Sequence, residues 1–194
     1  MKQPPDHQDE QPAQIRPARE IANRALALFG IVGIGLRAPR EDVVAWLKET
    51  GAWQNLSPRE LKLVEAPALT PRMMIDASWR SEALIMLLWT LQKIGELPPA
   101  DEQCDPSILQ EILPPYAEIS EEQFVETATR RSEEELLLQA EACMKLHADY
   151  HAAQRDGLPL RQPVDVEIIQ ERHQAINWVI GYEGLPWDLV TTDT

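Results

Sequence analysis

Cysteine is scarce in this chain. Among 194 residues only Cys104 and Cys143 occur, far apart and in no CxxC pair. Two isolated thiols exclude a disulfide framework and suit a reducing compartment, so a cytoplasmic location is expected. Basic residues are few as well: 18 Lys and Arg stand against 32 Asp and Glu, for a formal charge of -14. Such a field repels phosphate backbones, and no basic-aromatic surface for single strands is present, so nucleic acid is not an expected partner. A long hydrophobic run is also missing. The longest apolar stretch, Ala25 to Leu36, falls well short of the roughly 18 to 20 residues that cross a bilayer. The first 14 residues carry Pro4, Pro5 and Pro12 among polar neighbours; this excludes a signal peptide or membrane anchor there and predicts a disordered leader over 1–15. No membrane association is expected.

Nucleotide signatures are absent too. There is no GxxxxGK[ST], and the glycines of Gly30-Ile31-Val32-Gly33-Ile34-Gly35 run GxxGxG, not GxGxxG, with no strand before them. Their small size instead suits close approach of a neighbouring helix. No strand-like alternation persists and no internal repeat is visible.

What is present is helix punctuation. A chain of this length suffices for one core, and 44% hydrophobic with 26% charged residues is ordinary for a globular domain. Sixteen prolines must sit at helix starts or in loops. Ser57-Pro58-Arg59-Glu60 joins a capping box to proline at the first helical position, and Thr70-Pro71 and Asp105-Pro106 repeat the cap-then-proline signal. Ser120-Glu121-Glu122-Gln123 and Ser132-Glu133-Glu134-Glu135 are capping boxes without proline. Gly51, Gly95 and Gly157 mark helix ends. These signals predict helices over 16–36, 40–50, 58–65, 71–94, 106–112, 121–127, 132–156 and 164–181. The fold class is all-α: a single-domain multi-helix bundle over 16–194 with an extended C-terminal tail. Ala83 to Leu91 is apolar almost all round and predicts a buried central helix, while Ile168, Ile169, Ala175, Ile176, Val179 and Ile180 give the last helix one apolar face.

The segments WRSEALIMLLWTLQKIGELP (79–98), HAAQRDG (151–157) and ERHQAINWVIGYEGLPWDLVTTDT (171–194), with RALAL (24–28) and LSPRELKLVE (56–65) upstream, resemble domain-of-unknown-function family 4272 (DUF4272). The joint pattern of WRxEAL, ERHxAxNW and WDxVxTDT is specific, and it covers nearly everything after the leader. One departure is Ala152, which follows His151 where the family pattern has tryptophan; it weighs against a pocket role for that stretch. The resemblance implies a largely helical domain and no particular activity.

Candidate chemistry centres on arginines that lie on apolar helical lines. Arg80 aligns with Leu84, Leu87 and Leu91, and Arg172 with Ile168, Ala175 and Val179. A guanidinium cannot shed its charge, so each needs carboxylates or carbonyls. Glu82 and Glu171 are available, and Asp188 and Asp193 of the tail are favoured, with Trp187 filling an apolar slot. The structural reading bonds the tail to the central helices. The functional reading is a pocket for a small anion formed by Arg80, Glu82, His151, Arg155, Arg172 and Asp188.

Cys143, His147 and His151 recur every four residues on one face, and a metal would use His147 and His151. The same face carries Leu136, Ala140 and Met144, so core histidines are expected and no metal or other cofactor is. Ala148 after His147 removes the base of an HExxH site. His173 reads as a boundary histidine, and Ser78 and Ser81 lack an elbow motif, so no catalytic residue is assigned. The expected function is a non-enzymatic helical protein-interaction or regulatory domain, with a protein partner or a second copy as its ligand. The alternative is a small-anion-binding or enzymatic domain around the Arg80 and Arg172 cluster.

Overall fold

The computed structural model describes residues 14–160 and 162–193. Eight α-helices follow in order: α1 (Ala18–Gly35), α2 (Arg40–Glu49), α3 (Pro58–Val64), α4 (Pro71–Thr90), α5 (Ser107–Ile112), α6 (Glu121–Glu126), α7 (Glu133–Asp156) and α8 (Val166–Val179). Short 3-10 turns lie at Ala52–Asn55, Tyr182–Gly184 and Trp187–Leu189, and no strand occurs among the described residues. The all-α expectation is met. The predicted leader lies mostly outside the described residues, but its last residue, Ile15, is half-buried against the core.

The expected capping boxes form at Ser57, Ser120 and Ser132, each with both reciprocal bonds, and the Thr70 hydroxyl accepts from the Met73 amide. At Asp105-Pro106 the helix starts one residue later, and the Asp105 carboxylate accepts from the Ser107 amide. α4 stops at Thr90 and does not run on toward Gly95. Gln92 takes the left-handed conformation (φ 61°), and the Lys93 amide donates to the Leu88 carbonyl. This closure is usually made by glycine, so a glutamine at this position does not announce it.

α4 is the centre of the molecule. Every residue from Ser81 to Leu91 is buried. α1 packs on one part of it and α8 on another; α7 lies on α8, and α2 and α6 lie on α1. Two glycines of α1, Gly30 and Gly35, serve these contacts, as their small size predicts. A Cβ at Gly35 would lie 2.3 Å from the Ser78 amide nitrogen of α4, and one at Gly30 would lie 2.8 Å from Leu47 Cδ2 of α2. No helix among the described residues is long and apolar enough to cross a membrane.

Candidate functional site

The residues assigned to one cluster by the sequence do not form one cluster. Glu82 of α4 and Arg172 of α8 form a buried pair. Arg172 Nε and Nη2 donate to Glu82 Oε2 at 2.9 and 2.7 Å, and its Nη1 donates to the Pro98 carbonyl at 2.6 Å. The other carboxylate oxygen, Oε1, accepts from the Cys104 amide at 2.6 Å. The pair therefore ties the 98–104 loop to two core helices. Burial, then the Glu82 charge, pushes the neighbouring Cys104 thiol up to about 12, so it stays protonated.

Arg80 sits nearer the surface. Its Nη1 donates to both Glu171 oxygens at 2.9 Å and to Gln174 Oε1 at 3.1 Å. Burial pushes Glu171 up and the Arg80 charge holds it down. Both arginines are thus taken by glutamates of the facing helix, which corrects the expectation that the tail carboxylates Asp188 and Asp193 would hold them. Asp188 instead accepts from the Arg59 amide at the start of α3 at 2.9 Å. Asp193 is exposed.

The tail is nonetheless packed. Trp187 is buried, edge-on to Trp178 at 5.4 Å, with the Arg24 guanidinium 4.2 Å from its ring centre. Gln174 and Asn177 of α8 donate to the Trp187 and Thr191 carbonyls. Arg24 also pairs with Glu60, whose Oε2 accepts from the Ser57 amide at 2.8 Å, and with the Asn55 carbonyl. Arg24 was missed at the sequence level. It lies on a line with Ile21, Leu28 and Ile31, so the rule that singled out Arg80 and Arg172 would have found it.

A cleft of about 530 Å³ opens between α1, α3 and this tail, walled by Trp178 and Trp187. Its cations differ in their commitments. Arg16 spans Glu20 and the Trp178 and Leu185 carbonyls, and Arg24 is held as above. Arg59 and Lys62 line the same cleft and form no ion pair among the described residues. A smaller hollow of about 110 Å³ on the other side of Trp187 and Asp188 is bordered by Arg59 and Arg80.

The histidines lie elsewhere. His147 of α7 and His173 of α8 are buried and share a hydrogen bond between their Nδ1 atoms at 3.2 Å. Burial first, then the His151 charge for His147 and the His147 charge for His173, hold both below the usual imidazole range; His173 is brought down to about 4. His151 is exposed and rests on His147 with ring centres 4.7 Å apart. Arg155 is exposed and paired with Asp156. Among the described residues no group of His, Cys, Asp and Glu side chains is arranged to hold a metal ion.

Neither a search of curated proteins nor one of solved structures returns a match for this chain. The family comparison does. A model described as "Domain of unknown function (DUF4272)" matches residues 1–190, and the chain therefore belongs to that family.

Proposed function

We propose that the protein is a non-enzymatic regulatory binding domain that takes a small anion with an apolar part into the cleft beside its C-terminal tail. The observation that carries this reading is the pair Arg59 and Lys62. They bring two cations without carboxylate partners to a concave surface of about 530 Å³ that the indoles of Trp178 and Trp187 help to line. A cavity of that size suits a small ligand. In a chain of net charge -14, unpaired cations at a hollow run against the overall field and favour a carboxylate or phosphate. An occupant would touch both α3 and the tail, so binding would fasten the tail, which is the regulatory output. The two free, buried thiols agree with a cytoplasmic setting.

A second reading, a protein-interaction surface, rests on α7, where Leu137, Leu138 and Met144 are exposed. Sedimentation of the purified chain addresses it: a self-association abolished by Leu138→Lys would support this face.

The anion reading is tested by thermal shift with benzoate and phenyl phosphate. A saturable rise in Tm is expected, lost when Arg59→Ala and Lys62→Ala are combined while the Tm without ligand stays the same. No saturable rise with either probe, or a rise that survives both substitutions, would overturn it.

A further inference from the structure

A second hollow, of about 190 Å³, is built from a different chemistry. Phe29 of α1, Trp46 of α2 and Tyr116 of the loop after α5 line it, together with Gly33 and, beside them, Asp42. The Phe29 ring stands nearly perpendicular to the other two, at 86° to Trp46 with centres 6.0 Å apart and at 87° to Tyr116 with centres 6.2 Å apart. Trp46 is fixed in place by its Nε1, which donates to Glu121 of α6 at 2.7 Å. With Phe29 perpendicular to both neighbours, the rings line the hollow as an angled wall and not as a flat stack.

Most of the other indoles in this fold are already matched with a cation. Trp53, Trp89, Trp178 and Trp187 each carry a cation of the protein over the ring, from Lys48, Arg131, Arg16 and Arg24 at 4.2 to 4.8 Å. Among the described residues no lysine or arginine occupies that place at Trp46 or Trp79, of which only Trp46 lines this hollow, and no side chain pairs with Asp42. At Trp46 the aromatic walls are therefore matched with a hollow and a carboxylate, where four of the other five indoles are matched with an internal cation.

We propose that this hollow is a binding site for an organic ammonium group, specifically a trimethylammonium head. Such a head is large, apolar on its outside and positively charged, and it offers no N–H that would need a hydrogen-bond acceptor. Aromatic faces attract it through their quadrupoles, and its weak hydration makes entry into a ring-lined hollow cheap. Asp42 supplies the countercharge, and the overall charge of -14 raises the local concentration of any cation. A neutral apolar group of the same shape would use the rings but gain nothing from Asp42.

The test titrates the full chain with choline and, separately, with dimethylbutanol, its neutral carbon isostere. The readout is the Trp46 indole N–H resonance, identified by its loss in Trp46→Phe. A saturable shift with choline is expected, and binding of dimethylbutanol about fivefold or more weaker. Tyr116→Ala and Asp42→Asn change exposed side chains, so Tm should hold while each weakens choline about fivefold or more. No saturable shift, equal affinity for the isostere, or wild-type affinity in either variant would overturn the proposal.

Discussion

A guanidinium removed from water needs an acceptor for most of the directions in which it donates. Arg172 meets that condition through Glu82 and the Pro98 carbonyl, and Arg24 meets much of it through Glu60 and the Asn55 carbonyl. The need was visible in the sequence, because an arginine on an apolar helical line must find partners. The choice of partner was not. Glu82 lies two positions from Arg80 but reaches Arg172, 90 residues away, because neighbouring positions two apart face away from each other on a helix. Only the packing of α4 against α8 decides this. Replacing Arg172 with alanine would leave the buried Glu82 charge with the Cys104 amide alone and the Pro98 and Pro99 carbonyls without this donor, and should cost ~3–5 kcal/mol in chemical denaturation. A loss under about 1 kcal/mol, the range of an exposed pair, would show that the pair does not hold the 98–104 loop.

At the scale of elements, starts were far more legible than ends. Serine or threonine capping is local chemistry, readable from four consecutive residues, and Ser57, Ser120 and Ser132 all cap as the pattern requires. The ends of α1 and α4 are set by Arg37 and Gln92 in the left-handed conformation; nothing in those side chains announces it. The 3-10 turn at Trp187–Leu189 was likewise invisible, although Trp187 as an anchor was not. The glycines of α1 allow a sharper test, since Gly33 and Gly35, one turn or less from the helix end, face different neighbours. Gly35→Ala would push a methyl into the α4 backbone and should cost about 1–3 kcal/mol. At Gly33 a Cβ would meet Val43 and Ala38 at 3.7 and 3.8 Å, ordinary contact, so Gly33→Ala should be neutral or stabilise by up to about 1 kcal/mol through helix propensity. Equal effects in thermal denaturation would mean that the α1–α4 crossing is not limited by backbone contact.

For the whole molecule, acidity enters through the seam between α7 and α8. With both imidazoles neutral, one Nδ1–H of the His147–His173 pair donates to the other ring's lone pair; with both protonated, two N–H groups would face each other at 3.2 Å. The pairing and the burial together keep protons off. His173 titrates at about 4 in the fold against an ordinary value of 6.5. As pH falls below 6.5 the unfolded chain takes up a proton that the native chain refuses, so stability is full above that point and drains away down to about pH 4. Glu171 works in the opposite direction, because its folded value is raised and the native chain accepts that proton more readily. The histidine term must therefore be isolated by difference. His173→Asn keeps a side chain able to donate toward His147 but does not titrate. Between pH 7 and pH 4.5 the wild type should lose about 2 to 3 kcal/mol more than this variant in urea denaturation. Parallel pH profiles would mean that the seam opens to water and does not exclude the proton.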